Sequence, residues 1–207
     1  MQKRHRIFIA INLPGDIRKA LAKYQNTWSE LPAKWVIENN LHITLVFLGY
    51  VTDIELGEVC LTVKNIIEKH KAFDIHLDKV GYGPDDKLSF DSAQDKPPKM
   101  LWASGEKSKE LSLIKNDLQE ALLEKVHFIP EKRAFSPHIT LARINTSLWR
   151  MIEPEERPEV GENIDLAFTI ESIEVMSSHH ARSRFEGESE LKKGGPQYTV
   201  IESFNLQ

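Results

Sequence analysis

Asn40-Leu41-His42-Ile43-Thr44-Leu45 and Pro137-His138-Ile139-Thr140-Leu141-Ala142-Arg143 share one word, His-Ile-Thr-Leu. The copies stand roughly half a chain apart, and their longer flanks differ. That excludes a tandem solenoid array, whose units recur at a fixed period. Two similar half-domains facing each other account for it better. In a strand, residues i and i+2 share a face. His42 and Thr44 therefore share one face of their strand, and His138 and Thr140 one face of theirs. Ile43, Leu45 and Phe47 are expected on the opposite face, as are Ile139 and Leu141. Each strand thus has an apolar side for its own core and a polar side for something else. Two such strands across a cleft present two imidazoles and two hydroxyls to one ligand.

Outward from these words, the pattern predicts a first strand over Ile7 to Leu13, broken by Pro14 and Gly15. A helix follows from Asp16 to Trp28, with Ile17, Leu21, Tyr24 and Trp28 at helical spacing. Trp35-Val36-Ile37 reads as a short strand and Asn39-Asn40 as a turn. The first word's strand runs to Leu48 and ends at Gly49. Asp53 is the expected N-cap of a helix from Ile54 to His70, whose stripe includes Val59, Val63 and Ile67. Phe73 to Val80 alternates as a strand does. Gly81 to Lys99, rich in glycine, proline and aspartate, is expected to be a mobile surface loop. Met100 to Ser104 reads as a strand and Lys107 to Lys125 as a helix. The second word's strand ends at Arg143. Thr146 to Asn163 is an acidic connector, Ile164 to Met176 a strand or strand pair, His179 to Pro196 a polar loop, and Tyr198 to Phe204 the closing strand. Several strands follow one another without helices between them. The fold class is therefore α+β with antiparallel or mixed sheets, not a doubly wound parallel fold.

The chain has 207 residues, which suits one domain or two intimately packed lobes. The single cysteine, Cys60, cannot build a disulfide frame or a cysteine zinc site. A reducing, cytoplasmic setting is expected, with Cys60 packed in the core. The apolar run after Arg6 is too short to span a membrane, and no small-residue cleavage site follows it. A net charge of −4 argues against broad wrapping of nucleic acid, yet leaves room for a local basic cleft.

Histidine titrates nearest neutrality, so a pair of them can act as base and acid in one displacement. Threonine hydroxyls can hold the non-bridging oxygens on which charge develops. A phosphodiester, above all a strained 2′,3′-cyclic one, is a natural target, since it needs only an aligned water and a protonated leaving group. Zinc is the mechanistic rival, but neither word has a further ligand at suitable spacing. Glu38 precedes His42 by one helical turn, and the asparagines between them weaken the pairing. No P-loop and no Gly-x-Ser-x-Gly elbow occurs, and Gly194-Gly195 alone is a turn signal. No metal and no cofactor is expected. His5, His70, His76, His127, His179 and His180 read as surface or local structural residues, with His179-His180 the lesser candidates for lining a cleft.

These residues resemble the 2H phosphoesterase superfamily, most closely the bacterial and archaeal RNA 2′,3′-cyclic phosphodiesterases, also called 2′-5′ RNA ligases of the LigT or ThpR type. The segments that carry the likeness are Ile7-Phe8-Ile9-Ala10, Asn40 to Leu45 with Phe47-Leu48-Gly49, Leu101-Trp102, Arg133 to Arg143, and Gly194-Gly195-Pro196-Gln197-Tyr198. The resemblance implies one bilobal α+β domain over residues 1–207, with two pseudo-symmetric sheets flanked by helices and the cleft between lobes. It implies hydrolysis of RNA 2′,3′-cyclic phosphate ends to 2′-phosphates, with 2′-5′ ligation as the reverse reaction. Carried over, His42 is the proton donor and His138 the acceptor, a distinction the symmetric words do not make themselves. Thr44 and Thr140 hold phosphate. Arg143 is a further phosphate candidate, although strict alternation puts it opposite His138: either the strand bends there or Arg143 is structural. Arg133 is a weaker one. The implied partner is RNA or a small cyclic nucleotide, handled by a monomer without membrane or obligate protein partner. The alternatives are a hydrolase of small cyclic phosphates or 2′-5′ oligonucleotides, and a nucleotide-binding module without catalysis.

Overall fold

The computed structural model describes residues 3–84, 97–131, 135–179 and 196–207. Strands β1 (Arg4–Asn12), β3 (His42–Thr52), β8 (Ser172–His179) and β9 (Gln197–Asn205) make one half of a sheet. Strands β4 (Phe73–Gly83), β5 (Met100–Gly105), β6 (His138–Ile144) and β7 (Gly161–Ile170) make the other, with the short β2 (Ala33–Trp35) paired to β6. The order is β7-β4-β5-β6-β3-β1-β8-β9, and every pairing between the described strands is antiparallel. The fold is thus α+β, and its two halves are stitched into one sheet at the centre. The stitch is the pair Ile43↔Ile139, the middle of the two words.

Outward from that pair four strands follow on each side, β3-β1-β8-β9 and β6-β5-β4-β7. Helices α3 (Asp53–Ile67) and α4 (Lys109–Leu123) pack on the face away from the cleft and bury Val59, Val63 and Ile67, and Leu111, Ile114, Leu118 and Leu122. These join Ile7, Ile9, Ile43, Leu77, Leu101 and Ile139 in one core. Helix α3 is capped by Thr52, not Asp53: the Thr52 hydroxyl accepts from Glu55 N–H and the Glu55 carboxylate accepts from Thr52 N–H at 2.7 Å. Ser108 caps α4, accepting from Leu111 N–H at 3.0 Å.

Other boundaries also differ from the sequence reading. The expected Asp16–Trp28 helix is broken at Lys23 into α1 (Gly15–Ala22) and α2 (Tyr24–Thr27). The short strand sits at Ala33–Trp35, earlier than Trp35–Ile37, and the asparagine turn is a 3-10 turn at Glu38–Asn40. Strand β3 runs through Gly49 to Thr52, because Gly49 adopts φ +81° at a register shift that a side chain would resist. The acidic connector holds a short helix, α5 (Thr146–Trp149), and the stretch after it is the strand pair β7–β8. Gly81–Gly83 belong to β4. The core of the expected loop, residues 85–96, lies outside the described residues, as do Arg133, His180 and Gly194-Gly195.

The largest departure concerns strand alternation. Between β1 and β3 the register passes from Ile9↔Val46 to Ala10↔Thr44, so Leu45 is an extra residue. Between β5 and β6 it passes from Leu101↔Ala142 to Trp102↔Thr140, so Leu141 is the extra residue. Each word therefore carries a β-bulge at the same place, and each buries two successive apolar residues, Leu45-Val46 and Leu141-Ala142. Past the bulge the faces exchange. Phe47 and Arg143 both join the cleft face, contrary to strict alternation.

Candidate active site

The antiparallel pair Ile43↔Ile139, extended one residue each way, sets His42 opposite Thr140 and Thr44 opposite His138. The two imidazoles and two hydroxyls form a crossed quartet on one face. They line a cleft of about 890 Å³ together with Asn40, Phe47, Arg143 and Tyr198. The structure thus brings together His42, Thr44, His138, Thr140 and Arg143, all five residues singled out from the sequence. His179 is exposed and bonds Ser177 at 2.9 Å, away from the cleft lining.

Both histidines are anchored alike. His42 Nδ1–H donates to the Asn40 carbonyl at 2.7 Å, and His138 Nδ1–H to the Ser136 carbonyl at 2.9 Å. This network assigns the neutral tautomer with its proton on Nδ1. Each Nε2 is then left for the cleft, and that of His42 accepts from the Thr44 hydroxyl at 3.0 Å. Burial holds the His42 pKa below its ordinary 6.5; the Asn40 carbonyl opposes this, and the nearby His138 reinforces it. Burial also lowers the pKa of His138, opposed by the Ser136 carbonyl.

The surroundings of the two rings are not symmetric. His42 sits between Phe8, tilted at 5.1 Å, and the edge-on Tyr198 at 5.2 Å. His138 stacks on Trp102 at 4.0 Å and 27°. Gly83 makes room for that indole: a Cβ there would lie 2.3 Å from it. The bulge positions also diverge, with exposed Phe47 under the Arg6 guanidinium (4.9 Å) on one side and Arg143 beside Lys34 on the other. The charged side chains among the described cleft residues are Arg6, Lys34 and Arg143, all cationic despite a net charge of −4. Such a lining attracts phosphates. Among the described residues no cluster of three or more metal-ligating side chains occurs.

Sequence reasoning missed Arg6, Lys34, Asn40 and Tyr198, and placed Phe47 on the wrong face. The paired buried residues after each threonine are the signal that breaks period two and reveals the bulge. Cys60 is half-buried, and burial with the neighbouring Glu202 pushes its thiol up to about 12, in keeping with inert packing. No helix among the described residues is long and apolar enough to cross a membrane.

Known proteins are similar to this chain. The family model for LigT-like phosphoesterases matches residues 11–88. The RNA 2′,3′-cyclic phosphodiesterase of Aeropyrum pernix is 33% identical, over 83% of this chain and 85% of its own. The RNA 2′,3′-cyclic phosphodiesterase of Geobacillus stearothermophilus is 28% identical over 99% of this chain, which spans 58% of that relative's length. The crystal structure of TT0787 from Thermus thermophilus superposes with a TM-score of 0.74 at 27% identity, covering 97% of each chain.

Proposed function

The chain belongs to the LigT-like phosphoesterase family of the 2H superfamily, and on that premise we propose that it hydrolyses RNA 2′,3′-cyclic phosphate ends to 2′-phosphates by metal-free acid–base catalysis. The crossed quartet carries this reading: two imidazoles with Nδ1 tied back and Nε2 facing one cleft, each beside a threonine. Water attacks phosphorus while His138 Nε2 takes its proton. The bond from phosphorus to the 3′ oxygen breaks, and His42 Nε2–H gives that oxygen its proton. His42 enters protonated and leaves neutral; His138 does the reverse. Thr44 turns from His42 to a non-bridging oxygen, Thr140 takes the other, and both stabilise developing charge. Arg143 and Lys34 hold neighbouring phosphates of the strand. A 5′-hydroxyl in place of water gives 2′-5′ ligation with the same residues.

The cationic rim favours an oligonucleotide over a small cyclic phosphate. Comparing cyclic mononucleotides and 2′-5′ dinucleotides with cyclic-ended RNA separates these substrates. Matched donor and acceptor imidazoles argue against a binding module, which needs neither. One chain builds the whole site, in accord with a monomer, and an RNA substrate with a lone thiol suits the cytoplasm. The deciding experiment incubates the protein with cyclic-ended RNA in EDTA. A 2′-phosphate product is expected; a 3′-phosphate product, or loss of turnover restored by zinc, overturns the reading.

The pH profile follows from the same geometry. For kcat/KM, activity rises as His138 loses its proton and falls as His42 loses its own. Burial lowers both pKa values, so the optimum of kcat/KM is expected below pH 6.5, the ordinary histidine value. Bound phosphate favours the His42 imidazolium, so the alkaline limb of kcat lies higher than that of kcat/KM. An optimum well above neutrality in kcat/KM contradicts the assignment.

A further inference from the structure

We infer that Asn40 is a positioning residue: its side chain bolts strand β9 to the turn that carries His42, and so keeps Tyr198 against the imidazole. Asn40 is only 8% exposed although polar. Its backbone N–H donates to the Ile37 carbonyl at 2.8 Å, closing the 3-10 turn. Its carbonyl accepts from His42 Nδ1–H, and its Nδ2–H donates to the Pro196 carbonyl at 2.7 Å. One residue therefore fixes the ring's tautomer and reaches across to another strand. Tyr198 lies two residues beyond Pro196 and meets both His42 and Phe8 edge-on.

Among the described strands β9 is at the edge of the sheet and is laddered to β8 alone, with Tyr198 opposite Ser178. An edge strand has one free side and needs a tie to hold its end over a cleft. The Asn40–Pro196 bond supplies it. The equivalent anchor in the other word, Ser136, is exposed. Among the described residues the tie thus belongs to one histidine, and it contributes to the unequal setting of the two. The ionisable groups around His42 are His138 and Arg143 on β6, Lys34 on β2, Arg6 on β1 and Tyr198 on β9. Glu174 on β8, opposite Ala10, is buried and accepts from Asn12 N–H, Ser172 and Ser203.

The inference rests on the proposed role of His42 for its effect on turnover, but not for its structural content. The test therefore reads the ligand-free protein first, by NMR titration of both histidines in the native chain, Asn40→Ser and Asn40→Asp. Loosening the wall admits water to His42, so its titration is expected to move to higher pH in Asn40→Ser while that of His138 stays. Asn40→Asp keeps the shape, cannot donate when ionised, and adds a charge, so it moves His42 further. On an active substrate, kcat is expected to fall about tenfold to a hundredfold, as for a slightly misplaced group, with KM nearly unchanged. Unchanged His42 titration in both variants overturns the inference, whatever their activity. Should both variants unfold, hydrogen exchange of the Asn40 side-chain amide in the native protein decides: slow exchange supports the bolt, and exchange at the rate of a free amide overturns it.

Discussion

Replacing His42 or His138 by alanine is expected to lower kcat/KM on cyclic-ended RNA by about two to four orders of magnitude, the contribution of a positioned acid or base. Both side chains face the cleft, and neither belongs to the main core, so melting temperatures stay near the native value. The two variants separate when the leaving group is changed. An aryl phosphodiester expels a phenolate that needs little protonation. It therefore restores turnover to the variant lacking the acid, but not to the one lacking the base. Recovery of His42→Ala alone is expected. Recovery of His138→Ala instead exchanges the two roles, and no loss in either variant removes the two-histidine mechanism.

The second large effect is expected at the seam. Ile43 and Ile139 are fully buried, and theirs is the registered pair that joins the two halves. Ile139→Ala removes buried methyl groups and leaves a cavity, at a cost of about 2–5 kcal/mol. For a chain of this size that lowers Tm by roughly 5–15 °C. It also lets Thr44–His138 and His42–Thr140 drift apart, so kcat/KM per folded molecule falls by about tenfold or more. Leu122→Ala is the control. Leu122 is equally buried, in α4, and does not line the cleft. Its loss lowers Tm comparably and leaves kcat/KM per folded molecule unchanged. Equal activities in the two variants show that the seam does not align the site.

Much of this was legible in the residues. The duplicated word identified both strands and the four polar groups they present, but it placed the strands across a cleft and not side by side in one sheet, as the Ile43↔Ile139 pair has them. Periodicity found α3 and α4, because Val59, Val63 and Ile67 and then Leu111, Leu118 and Leu122 recur at helical spacing. What alternation mispredicted was the position of Phe47 and Arg143. A bulge depends on how the neighbouring strand is paired, and β1 and β5 lie far off in the chain. Arg6, Lys34 and Tyr198 were invisible for a related reason. Arg6 lies on β1 beside β3, Lys34 on β2 beside β6 and Tyr198 on the outer strand β9, and the place of each strand is settled by packing, not by local sequence. Asn40 was seen as a turn former and as the first residue of the likeness but not as a tie, since its partner Pro196 stands at the other end of the chain.

The duplicated bulged words have a last consequence. In-line displacement at phosphorus passes through a trigonal bipyramid, and a two-fold axis through phosphorus exchanges its entering and leaving oxygens. The local two-fold of the antiparallel pair passes between Ile43 and Ile139 and exchanges one imidazole–hydroxyl set for the other. On the proposed roles of His42 and His138, the site thus has the symmetry of the event it promotes. A site of that kind treats the arriving and departing oxygens almost alike. The direction of the reaction is then set by what occupies the arriving position, water or a hydroxyl of another strand, and by the small inequalities that Asn40, Tyr198 and Trp102 impose on the pair.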